Sequence, residues 1–203
     1  IQSGLKPKFV DIDLDSLNIN LSDLKKKISK KTKAILIVHV LGNCVNMNEL
    51  MRIIKRYNLI LIEDTCESLG TKFKNKYLGS FGDFSSFSFY SSHQISSGEG
   101  GMICCKSNED HEIIKSLRAH GWSRGLKNER KIASANKHLD SRFIFYNSGF
   151  NLRSTDIAAS IGLNQFKNLD EFIKQRSVNR GKIIKNLKKN IKIRKYLSFI
   201  EAS

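Results

Sequence analysis

Four residues combine a reactive side chain with a position where chemistry could reach it. His93 stands in the polar middle of SFSFYSSHQISSGEGGMICC, with Ser88 five residues before it. Asp64 ends the apolar run LILIE, and Asn151 lies in GFNLRSTD just ahead of a helical pattern. An imidazole takes and returns protons near neutral pH. A carboxylate at the end of a central strand can pair with a cationic ring nitrogen and keep it protonated, as a pyridoxal-type cofactor requires of an electron sink. An aspartate that only caps a turn is the ordinary alternative, so the neighbours of Asp64 must decide.

Those residues need ordered elements to hold them. Residues 34–40 (AILIVHV) form a continuous apolar, β-branched run, the pattern of a strand buried on both faces. Met47, Leu50, Ile53 and Ile54 then fall on one stripe of a helix spanning 47–57, and residues 59–63 make a second buried strand ending at Asp64. Strand, helix and strand with short loops make a βαβ unit, and ligands of such sheets gather outside the carboxyl ends of the strands. Asp64, Thr65 and Glu67 lie just past such an end. Residues 84–90 and 102–105 read as a hairpin whose turn uses Gly98, Gly100 and Gly101, which puts His93 on its tip. Elsewhere the text predicts a short strand at 7–12, a helix starting at Ser22, a helix over 109–120 and a polar surface excursion over 122–142. From Thr155 onward it predicts one helix packed on the sheet and a long second helix leading away.

Composition narrows the class. The chain has 203 residues, 40% hydrophobic and 27% charged, enough for a sizeable core. Its longest apolar runs are too short to span a bilayer, and no signal peptide is legible, so a cytoplasmic protein without a membrane role is expected. Lys plus Arg exceed Asp plus Glu by 35 − 19 = 16. The lysines cluster on solvated helical stretches without aromatic interleaving or a nucleic-acid signature, so no nucleic-acid partner is expected. Cysteines at 44, 66, 104 and 105 form no C-x-x-C pair, and strand neighbours Cys104 and Cys105 point to opposite faces. They read as reduced, buried thiols, and no metal site is expected. His39 reads as a structural histidine at a strand end.

Several separated motifs in a fixed order carry a resemblance: IEDTCESLG (62–70), LGSFGDFSSFSFY (78–90), SGEGGMI (97–103), LRAHGWSR (117–124) and GFNLRSTDIAASIGLNQ (149–165). From about Pro7 to about Gly181 the chain resembles the sugar aminotransferases of pyridoxal-phosphate fold type I, the DegT/DnrJ/EryC1/StrS family. The resemblance implies a three-layer α/β large domain with a mainly parallel sheet, incomplete at both ends. Residues 1–168 would form its central part, and 169–203 a long helix entering a truncated C-terminal small domain. It also implies roles: Asp64 facing the pyridine nitrogen, Glu67 against the ring face, Ser88 on the cofactor phosphate, and Asn151 reaching the phosphate of a neighbouring subunit. A homodimer is therefore implied.

One position departs from the family pattern. Five residues after Ser88 the aminotransferases carry the lysine that binds the cofactor covalently, and here that residue is His93. Imidazole is not a primary amine and cannot make that bond. The substitution resembles the family's sugar 3-dehydratase branch, which implies pyridoxamine 5'-phosphate in place of lysine-bound pyridoxal 5'-phosphate, with His93 as the catalytic base. The implied substrate is a nucleotide-linked 4-keto-6-deoxyhexose, GDP- or CDP-borne, converted to a 3,6-dideoxy sugar precursor of lipopolysaccharide O-antigen. L-glutamate would be the amino donor. A CDP-sugar subtype carries an iron–sulfur cluster, whose cysteines crowd the segment after the motif matched by LRAHGWSR. Residues 125–145 contain no cysteine, so no cluster is expected. The alternatives are an aminotransferase relative and a catalytically inactive fragment.

Overall fold

The computed structural model describes residues 3–187, and its first half is built from the expected βαβ unit. Helix α1 (Leu21–Lys27) is capped by Asn20, whose side chain accepts from the Ser22 and Asp23 N–H groups. Strand β1 (Ala34–Val38) leads to helix α2 (Met47–Tyr57), capped by the Asn46 side chain and stopped at Asn58 in a left-handed conformation (φ 48°). The predicted stripe of α2, Met47, Leu50, Ile53 and Ile54, is buried against the sheet. Full burial of such a side chain contributes about 1.5–3 kcal/mol. Strand β2 (Ile60–Asp64) pairs in parallel with β1, from Ala34 opposite Ile60 to Val38 opposite Asp64.

A small hairpin, β3 (Lys72–Phe73) and β4 (Lys76–Tyr77), turns through Lys74 and Asn75 at φ 47° and 65°. Strand β5 (Phe84–Ser88) then joins β2 in parallel, and β6 (Gly101–Cys105) returns antiparallel to β5. The sheet order is β1-β2-β5-β6, mainly parallel as expected. After it come α3 (Asn108–Leu117), α4 (Glu129–Ala135), α5 (Asp156–Phe166) and the long α6 (Leu169–Leu187).

Four expectations are corrected. Residues 7–12 form no strand; only an isolated antiparallel bridge joins Ile12 to Ile19. The excursion at 122–142 contains α4, because Leu126, Ile132 and Ile144 bury a small core of their own. The run at 34–40 is buried on one face only: Ile35, Ile37 and His39 are inside, while Leu36 is 61% and Val38 41% exposed. Covering both faces of a parallel sheet requires helices on both. Among the described residues, α1 and α2 supply one such layer for β1 and β2. The cysteines are free but not buried: Cys104 is exposed and the other three are half-buried.

The fold also contains a tight backbone crossing. The stretch after α3 pairs with residues 144–152 through hydrogen bonds such as His120 N–H to Phe150 O (2.7 Å) and Tyr146 N–H to Gly121 O (2.7 Å). A Cβ on Gly121 (φ +84°) would collide with the Asn147 carbonyl, and one on Gly149 with the Gly121 amide. Glycine is needed at both places for steric reasons.

Candidate active site

Strand alternation places the candidate residues before any long-range contact does. In the register Val38–Asp64–Ser86, the partners share a face, and Ser88 lies two residues farther along the same side of β5. Asp64, Ser86 and Ser88 therefore stand together at the carboxyl edge of the open face. One Asp64 carboxylate oxygen accepts the Cys66 N–H at 3.1 Å, and the Ser88 hydroxyl accepts the Tyr90 N–H at 3.3 Å. The Cys66 thiol, withdrawn from solvent and beside the Asp64 carboxylate, is pushed up to about 11, so it stays protonated at neutral pH.

The opposite face holds this edge rigid through Glu63, which the sequence reading did not single out. Its side chain is fully buried. One oxygen accepts the Phe81 and Gly82 N–H groups at 2.8 and 2.6 Å; the other accepts the Gly79 N–H at 2.9 Å and meets His39 Nε2 at 3.1 Å. Burial alone would raise its pKa, but the bonds from His39, Gly82 and Gly79 outweigh it and hold the carboxyl below its ordinary value. His39 is structural, as expected, but Nδ1 is buried without a partner. Its backbone N–H donates to Asp64 O at 3.1 Å. One buried carboxylate thus ties the end of β1 to the turn that launches β5.

His93 follows β5 on the hairpin tip, half-buried and edge-on to the Tyr90 ring at 6.1 Å. The tip is fastened on two sides. Gln94 Nε2 donates to the Glu67 carbonyl at 2.5 Å, and the Glu67 carboxylate accepts the Leu41 N–H at 2.7 Å. Arg176 of α6 donates to the His93 carbonyl at 3.0 Å. Glu67, His93, Gln94 and Arg176 line one cavity of about 500 Å³. Asp64 and Ser88 are not in its wall; they occupy the adjoining open face. Asn151 is apart from all four, exposed and bridged to Ala119. Gln94 and Arg176 had no legible signal, because each acts through a backbone carbonyl.

The sequence profile of the DegT/DnrJ/EryC1/StrS aminotransferase family matches residues 1–199. The chain belongs to that family. It is 41% identical over 180 residues to the GDP-4-keto-6-deoxy-D-mannose 3-dehydratase of Escherichia coli O55:H7, covering 88% of this chain and 46% of the relative. It is 39% identical over 191 residues to the lipopolysaccharide biosynthesis protein RfbH of Salmonella typhimurium, covering 88% and 43%. Among solved structures, a GDP-4-keto-6-deoxymannose-3-dehydratase with a trapped PLP-glutamate geminal diamine superposes with a TM-score of 0.83 at 38% identity, over 93% of this chain and 49% of that one. The chain thus spans about half the length of the family members it matches.

Proposed function

We propose that the protein is a pyridoxamine-phosphate-dependent 3-dehydratase of a nucleotide-linked 4-keto-6-deoxy sugar, in the manner of GDP-4-keto-6-deoxy-D-mannose 3-dehydratase. The observation that carries this reading is His93, an imidazole on the hairpin tip where the aminotransferases of the family carry lysine. The chemical fit of the remaining residues supports it. By strand spacing and rise, Ser88 lies roughly 8 Å from Asp64 across the open face. That separation suits an elongated cofactor with a cationic ring nitrogen at one end and a phosphate at the other. When bound, pyridoxamine phosphate supplies the amine that engages the sugar ketone and a ring that accepts electrons.

The chain's own residues do the rest. Asp64 would keep the ring nitrogen protonated by its negative charge. Ser88 would donate to the phosphate, and Glu67, held by the Leu41 amide, would lie against the ring. The His93 imidazole takes a carbon-bound proton and returns it to the departing hydroxyl at C3. A single base placed on a rigid tip serves both transfers.

Asn151 reaches the phosphate of a second copy of the chain, so the proposal includes a homodimer. In support, Phe143, Phe145, Tyr146, Phe150, Leu152 and Ile157, which flank Asn151 in sequence, are all exposed large apolar side chains. L-glutamate as amino donor is supported by the glutamate adduct in the similar structure. A place in O-antigen synthesis is supported by the likeness to RfbH, and a cytoplasmic location suits such a role. We also read residues 169–203, of which 188–203 lie outside the described residues, as leading into a second, smaller domain.

The test is mass spectrometry of products from GDP- and CDP-linked 4-keto-6-deoxy sugars, with glutamate and pyridoxal phosphate supplied. A 3-deoxy product is expected. An amino sugar would instead mark an aminotransferase, and no turnover of either sugar would mark an inactive relative.

A further inference from the structure

We propose that Arg176 is a positioning residue for His93, acting from α6 through the peptide backbone of the hairpin tip. The inference rests on the reading of His93 as the base. The contact joins residues 83 apart in sequence: Arg176 Nη2 to the His93 carbonyl at 3.0 Å. A hydrogen bond to a carbonyl fixes the plane of the peptide and, through it, the direction of the Cα–Cβ bond that carries the ring. The His93 amide is held as well, donating to the Tyr90 carbonyl at 3.1 Å. Both backbone groups of the residue are thereby fixed, one locally and one by a helix from another part of the chain.

The register of α6 is itself constrained. One turn before Arg176, Ile173 seats directly over Gly70, where a Cβ would overlap the Ile173 Cδ1 atom. Gly70 (φ +87°) follows the loop that carries Glu67. The loop therefore sets where α6 sits, and α6 sets where Arg176 meets the tip. Glu67 fastens the other side of the same tip through Gln94. The base is held between a loop of the sheet edge and a helix docked on that loop, and a misplacement of about 1 Å in such an arrangement lowers turnover by orders of magnitude.

The experiment uses the full-length protein with Arg176→Met, which keeps the aliphatic stem but removes the donor, and Arg176→Lys, which keeps a donor and a charge. Arg176→Met is expected to lower kcat about tenfold or more with KM within about threefold, because the hydrogen bond it removes goes to the His93 carbonyl. Arg176→Lys is expected to recover part of kcat. In the cofactor-free protein, the His93 ring signal in a carbon–proton correlation spectrum, assigned with His93→Asn, is expected to shift in Arg176→Met while the His39 signal stays. Wild-type kcat in Arg176→Met overturns the proposal. So does a loss of kcat that comes with a lowered Tm and an unmoved His93 signal, which is a stability effect alone. Dehydration surviving in His93→Asn sinks the base reading instead, whatever Arg176 does.

Discussion

Replacing Glu63 by glutamine keeps shape and removes one acceptor, and the surroundings leave the amide no good orientation. If its NH2 group takes the place of the oxygen facing Phe81 and Gly82, two backbone donors lose their only partner. If it takes the other place, it faces the Gly79 N–H and His39 Nε2. His39 can then move its proton to Nδ1 and accept through Nε2, but Nδ1 is buried with no partner. Either way two buried donors are orphaned, at about 1–3 kcal/mol each, so the expected loss is about 2–6 kcal/mol. For a chain of this size that corresponds to a fall in Tm of roughly 4–24 °C. Urea unfolding followed both by circular dichroism and by the fluorescence of Trp122, the single tryptophan, measures it and checks two-state behaviour. The pH dependence has a definite sign. The folded pKa of Glu63 lies below its ordinary value near 4.5, so its stabilisation is fully present above that value and is lost as pH falls through the folded pKa. Wild type should lose its advantage over Glu63→Gln on acidification. A loss below about 1 kcal/mol at neutral pH would refute the account of Glu63 as the fastening of the Gly79–Gly82 turn.

Other consequences are as direct. His93→Lys should abolish dehydration and let pyridoxal phosphate attach covalently, read as a borohydride-reducible mass increment on residue 93; unattached cofactor would show that the residue is not at the cofactor aldehyde. Mixing inactive His93→Asn and Asn151→Ala proteins should restore about a quarter of wild-type activity, since half the dimers are mixed and each has one intact site; no recovery would place Asn151 in its own subunit's site or in none. Gly121→Ala should destabilise the protein by more than about 3 kcal/mol, measured by thermal melting, because both the positive φ and the Asn147 carbonyl oppose a side chain. Asp140→Asn should change Tm by less than a degree or two, although Arg142 holds the Asp140 carboxyl down at about 2, because the pair is solvent-exposed.

Patterns of period determined much of this protein from its sequence. The stripe of α2, the apolar runs that become β1 and β2, the ending of β2 at Asp64 and the hairpin after it all follow from patterns that act within a few residues. The histidine at position 93 was legible through the family resemblance, since its meaning lies in standing five residues after Ser88, where the aminotransferases carry lysine. Tertiary structure alone decided what holds those residues. Glu63 carries no signal of its own in LILIE until three amides from residues 79–82 converge on it. Arg176 looks like one of many solvated helix cations until α6 docks on Gly70 and brings it to the His93 carbonyl. The exposure of Leu36 and Val38 could not be read from an apolar run either, because which face is covered depends on where the helices pack. Periodicity reports which side of an element is apolar; only packing reports what, if anything, lies against it.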